Sequence, residues 1–245
     1  MPGIVNNLSI PERLQQVQQN IADACRSGRR ESGEVTAIIV TKTTGIEAIT
    51  EVIKAGFTEF GENRVQHLKQ VAEDVEKFLS VSGDGQNIPG KVNWHMIGHL
   101  QRNKVKQVLK ISSIIHSVDT LRLAEEIDEA AEKLETKPSV LLQVNCSGEP
   151  QKYGVPVGAA THLAEQLCTM DNLQLCGLMT MAPLTRDKGE VRATFVRARE
   201  LFEEIRGKGY GGKYFKHLSM GMSQDYQIAV EEGATMLRIG SAIFA

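Results

Sequence analysis

Aromatic side chains are scarce in this chain: Phe, Tyr and Trp make up 5% of 245 residues, with a single Trp. Little stacking surface is therefore available for single-stranded nucleic acid. Charge of one sign is scarce too. Lys and Arg number 28 against 30 Asp and Glu, and the pI is near 6.3, so no whole-molecule field favours nucleic acid or an anionic membrane. Long apolar runs are missing. The longest are of strand length, such as Ala37-Ile38-Ile39-Val40, against about 20 residues needed to span a bilayer. The opening MPGIVNNLSIPERLQQ has no charged-then-apolar leader, so no secretory signal is expected. Cysteine occurs four times, at Cys25, Cys146, Cys168 and Cys176, without CxxC spacing or a nearby His. That excludes a disulfide framework and points to a reducing, cytoplasmic compartment, with each Cys a small buried apolar residue.

What the chain does have is alternation. Ser9-Ile10-Pro11-Glu12 reads as a helix start, with Pro in the first turn and the helix running to about residue 27. Short, nearly continuous apolar runs follow at 35–41, 59–61, 92–98, 113–118, 139–144, 173–179, 216–219 and 236–240. Amphipathic segments separate them at 45–55, 64–78, 104–110, 120–134, 158–170, 189–208 and 223–232. Such runs suit parallel strands covered by helices, and eight of them at this length predict a single α/β domain over 1–245, a (β/α)8 TIM-type barrel with an extra N-terminal helix. That first helix is expected to cover the gap left where an eighth outer helix would lie. A doubly wound open sheet is the alternative. Two loops, SGDGQNIPG (82–90) and GKGYGG (207–212), read as irregular, the first as a surface excursion.

A parallel barrel carries its site at the C-terminal ends of its strands, and several residues fall there. Lys42 closes the first apolar run and reads as a point charge for a phosphate, a Schiff-base amine for an aldehyde, or a lysine that snorkels into solvent. Arg238 interrupts the last strand, where its guanidinium needs an anion, a ring nitrogen or an ion pair with Glu62 or Asp225. Ser219 and the N–H groups of Gly240 and Ser241 form a candidate phosphate cup, with a helix start just beyond residue 223. His95 and His99 have HxxxH spacing but lack the Glu of a zinc-protease helix, so both read as core or loop histidines and no metal is expected. Arg102, Lys104, Lys106 and Lys110 read as a solvated face.

These residues carry a match. The chain resembles the pyridoxal phosphate homeostasis proteins, whose fold is the barrel domain of alanine racemase. The matching pieces are IIVTKT around Lys42, FGENRVQ at 60–66, WHMIGHLQRNK at 94–104, QVNCSGEPQKYG at 143–154, GLMTMAP at 177–183 and HLSMGMSQDYQIAVEEGATMLRIGSAIF at the end. The resemblance implies that Lys42 holds pyridoxal 5′-phosphate (PLP) as a Schiff base. It further implies that Ser219, Gly240 and Ser241 bind the phosphate, Asn63 lies near the cofactor, and Arg238 lies by the pyridine nitrogen. An arginine there disfavours protonation of the ring and weakens it as an electron sink.

The function expected from this is a non-catalytic PLP carrier in intracellular homeostasis, passing cofactor to apo-enzymes. No second β domain of the kind that racemases on this barrel carry is expected. A PLP-dependent amino-acid racemase and a lysine aldolase acting on a phosphosugar are the alternatives. A monomer is expected, with no nucleic-acid or membrane partner.

Overall fold

The computed structural model describes residues 8–42, 44–81 and 88–245. The first helix, α1 (Ile10–Ser27), starts where the sequence predicts it: Ser9 and Glu12 form a capping box, with Pro11 in the first turn. Its apolar stripe of Leu14, Val17, Ile21, Ala24 and Cys25 is buried. Nine strands follow among the described residues: β1 (Thr36–Val40), β2 (Glu59–Glu62), β3 (Asn93–Met96), β4 (Ser112–Val118), β5 (Ser139–Asn145), β6 (Val155–Pro156), β7 (Gln174–Met179), β8 (His217–Met222) and β9 (Met236–Ile239). All pairings are parallel. The order β4-β3-β2-β1-β9-β8-β7-β5 closes on itself because β5 also pairs with β4, and β6 is a two-residue addition to the end of β5. The protein is thus a closed eight-stranded barrel, not an open sheet.

The outer layer is α2 (Ile46–Lys54), α3 (Val65–Val81), α4 (Val105–Leu109), α5 (Leu121–Lys133), α6 (Val157–Cys168), α7 (Lys188–Gly207), α8 (Tyr226–Glu231) and α9 (Ser241–Phe244). The four-residue α9 is too short to cover the seam between β9 and β1. There α1 packs against α2, α8 and α9 and completes the ring, as expected from the sequence. Among the described residues no helix is long and apolar enough to cross a membrane.

Two boundaries differ from the sequence reading in ways that matter for the site. The run at 216–219 continues as β8 to Met222. The helix expected from 223 starts only at Tyr226, because residues 223–225 form a turn in which the Asp225 carboxylate accepts the Met222 N–H at 2.6 Å. Cys168 is exposed rather than buried: it ends α6, and its sulfur accepts the Gly211 N–H at 3.1 Å. In the loop predicted at 82–90, residues 82–87 lie outside the described residues, as do Thr43 and residues 1–7.

The apolar core has two layers. The larger fills the space between strands and helices, and a smaller cluster of Ile38, Ile114, Leu141, Cys176, Met179 and Met236 fills the barrel itself. Period-2 alternation puts His116 on the face of Ile114, and Arg238 on that of Met236. The interior of the barrel is therefore apolar for part of its height and polar for the rest.

Candidate functional site

At the C-terminal end of the barrel a cavity of about 370 Å³ opens where β1 and β9 finish side by side. Its walls include Val40, Lys42, Thr44, Gly45, Gly240 and Ser241, closed off by Ile10 and Phe244. The volume suits a small ligand. Lys42 is exposed and lines the cavity wall. Among the described residues it is the sole amine side chain lining the space, alongside the hydroxyls of Thr44 and Ser241 and no acidic side chain. Such a donor set suits an anion and an electrophile. Gly240 lets the strand ends meet: a Cβ on it would lie 3.2 Å from the Val40 carbonyl oxygen. The hydroxyl of Ser223 accepts the N–H groups of Gly240 (3.2 Å) and Ala242 (3.1 Å) and so braces this corner. A larger groove, about 880 Å³, lies between α3 and α4 around Val92, near the N-terminal end of β3 and away from the strand ends that form the mouth.

Arg238 sits one layer deeper and is not part of the cavity wall. It is 4% exposed. One terminal nitrogen donates to Ser219 Oγ at 2.7 Å and the other to the Thr180 carbonyl at 2.8 Å. The ion pair with Glu62 or Asp225 considered from sequence is not made among the described residues. Glu62 instead accepts a short hydrogen bond from Thr41, and lies 2.9 Å from His67 Nδ1 without the alignment of a hydrogen bond. Burial lowers the Arg238 pKa to about 10, against the opposing field of Asp225, so the guanidinium is still cationic at neutral pH.

Ser219 is fully buried and points into the barrel, not into the cavity. Besides Arg238 it meets His116 Nδ1 at 3.0 Å. His116 Nε2 is 2.9 Å from His95 Nδ1, and His95 Nε2 is 2.8 Å from Glu59 Oε2, which belongs to the first residue of β2. A file of polar side chains thus runs from Arg238 toward the opposite end of the barrel. Desolvation drives the His116 pKa well below its usual value, and the charges of His95, Arg238 and His217 add to the effect.

The structure therefore gathers Lys42, Gly240 and Ser241 around one cavity, with Arg238 behind it. Asn63 is exposed at the end of β2, its backbone so close to Gly98 that a Cβ there would lie 2.2 Å from the Asn63 carbonyl oxygen. Elsewhere on the rim, His99 stacks on Tyr153 (ring centroids 4.2 Å apart), and Lys152 donates to the Ala182 carbonyl at 2.7 Å, tying together the loops after β5 and β7. Sequence reasoning missed Ser223 as the residue that touches Gly240 and named Ser219, four positions earlier, for the cup. It also missed the link between His95 and His116; each interrupts an apolar run, which is the visible signal.

The family model for the alanine racemase N-terminal domain matches residues 13–245. A pyridoxal phosphate homeostasis protein of Aquifex aeolicus is 36% identical over 233 residues, covering 95% of this chain and 96% of the relative. Among solved structures, a protein of unknown function from Bifidobacterium adolescentis superposes with a TM-score of 0.89 at 36% identity, over 96% of this chain and 94% of the other. PipY of Synechococcus elongatus, in its form with PLP bound, superposes with a TM-score of 0.79 at 32% identity, over 97% of this chain and all of PipY. The chain accordingly belongs to the pyridoxal phosphate homeostasis protein family, built on the alanine racemase N-terminal-domain barrel.

Proposed function

We propose that this protein is a reversible carrier of pyridoxal 5′-phosphate that serves intracellular cofactor homeostasis in the cytoplasm and passes the cofactor to apo-enzymes. The observation that carries the reading is the mouth cavity itself, whose described lining has one lysine amine, two hydroxyls and the Gly240–Ser241 backbone and no acidic side chain. When bound, the cofactor supplies an aldehyde that can form a Schiff base with an amine. Lys42 is the residue we assign to that linkage. Gly240, Ser241 and, through its hold on them, Ser223 are assigned to the phosphate, and Asn63 to the rim. Family relatives named for PLP homeostasis, and the PLP-bound form of PipY, support the assignment.

Arg238 is assigned to the ring nitrogen. Still cationic at neutral pH, its guanidinium opposes a proton on that nitrogen and leaves the ring a weak electron sink. Holding is therefore favoured over carbanion chemistry.

Incubation of the PLP-loaded protein with single enantiomers of common amino acids tests the carrier against the racemase. The expected result is no racemisation at ordinary enzyme rates of about 1–10³ per second. Steady turnover in that range would overturn the carrier reading.

A further inference from the structure

We propose that Ser219, His116, His95 and Glu59 form a one-way hydrogen-bonded column that positions Arg238, so that Ser219 acts on the ring end of the cofactor through the guanidinium and not on its phosphate. The inference rests on the PLP reading above for its consequence, but the column stands on its own geometry.

The direction of the column follows from counting protons. Burial tends to raise the Glu59 pKa, but the hydrogen bonds from His95 and Asn93 outweigh it and leave the carboxyl below its usual range, so it accepts. His95 Nε2 then carries a proton. With His95 neutral, its Nδ1 accepts from His116 Nε2–H, leaving His116 Nδ1 to accept the Ser219 hydroxyl proton. Ser219 Oγ in turn accepts from Arg238. Every proton has a partner. A cationic His95 would reverse the order: His116 Nδ1–H would donate to Ser219, which already accepts from Arg238, and the fully buried Ser219 proton would lose its partner. That arrangement would also add a cation to a file that already ends in Arg238.

Four polar side chains along a barrel axis are costly unless fully paired, and an apolar cluster of Ile38, Ile114, Leu141, Cys176, Met179 and Met236 shares the interior with them. The file ends on the one buried guanidinium behind the mouth, whose only other direct partner among the described residues is the Thr180 carbonyl. Ser219 is thus the joint through which the core sets the direction of Arg238.

Two measurements test this. Nitrogen-15 NMR of the imidazoles in cofactor-free protein is expected to show His95 and His116 both neutral and protonated on Nε2. A doubly protonated ring, or an Nδ1–H tautomer at either residue, overturns the column. In the second, Ser219→Ala and wild type are titrated with PLP and with pyridoxal, which lacks the phosphate. Loss of a charge-assisted hydrogen bond at Arg238 predicts an affinity loss of about tenfold or more for both ligands, with a shifted visible spectrum of bound cofactor. A loss confined to PLP, or no loss, overturns the proposal. His116→Asn, which retains an acceptor near the Nδ1 position, is expected to restore the wild-type spectrum relative to His116→Leu. If the variants fail to fold, the NMR result on wild type decides. If wild type takes up neither ligand, the PLP reading falls and the same NMR result still decides the column.

Discussion

Lys42→Ala is expected to be folded and colourless after exposure to PLP, where the wild-type protein turns yellow and keeps its colour through gel filtration. The argument has two halves. Lys42 is exposed at the end of β1, so replacing it should change stability by no more than about 0.5 kcal/mol. A loss of colour then reports chemistry and not unfolding. Among the described residues Lys42 is also the sole amine lining the mouth cavity, so none of the other described side chains of that wall can take over the linkage. What remains is the hold of Gly240 and Ser241 on the phosphate, which we expect to retain cofactor at least about tenfold more weakly, a difference of about 1.4 kcal/mol. A colourless wild-type protein that still cleaves or condenses phosphosugars would favour the aldolase alternative instead.

Gly177→Ala is expected to cost at least about 3 kcal/mol, a large share of the ordinary 5–15 kcal/mol stability of a domain. Gly177 pairs with His217 across β7 and β8 and has φ of +153°. A Cβ there would lie 1.8 Å from the His217 carbonyl oxygen, which is backbone and cannot rotate aside. The register of β7 against β5 also slips between Leu175 and Gly177, so the glycine sits at a bulge that bends the strand. Relief requires β7 and β8 to separate. These are the strands that lead to Thr180 and carry Ser219, the two residues that hold Arg238, so the variant should lose cofactor retention along with stability. Gly158→Ala is the control: it is exposed in the first turn of α6 with nothing within 4 Å of the added Cβ, and should be neutral or stabilising by up to about 1 kcal/mol. Denaturation midpoints of the two variants check the contrast.

The barrel was legible because parallel strands buried on both faces leave short apolar runs, and the amphipathic stretches between them repeat with helical period. All eight barrel strands and the long helices stand within a few residues of their predicted positions. The two-residue β6 was not legible, since so short a pairing has no periodicity of its own. At the site, Lys42, Gly240 and Ser241 could be read because strand ends converge in a closed barrel, whatever the details of packing. The orientation of Ser219 could not. One residue decides which face of a strand a side chain takes, and the seventh barrel strand was read as ending three residues too early, at 219: β8 carries Ser219 inward and Ser223 lies in the turn beside Gly240. The column behind Arg238 was hidden for a different reason. His95, His116, Glu59 and Ser219 come from four strands spread over 160 residues, and nothing in sequence spacing reports a contact across a barrel.

The central claim is that Lys42 is the covalent anchor of pyridoxal phosphate. Borohydride reduction of the loaded protein, followed by proteolysis and mass spectrometry, tests it directly. The account predicts that the reduced cofactor is found on the peptide carrying Lys42, in proportion to the colour lost. Label on another lysine, or retained colour with no covalent label at all, would contradict it.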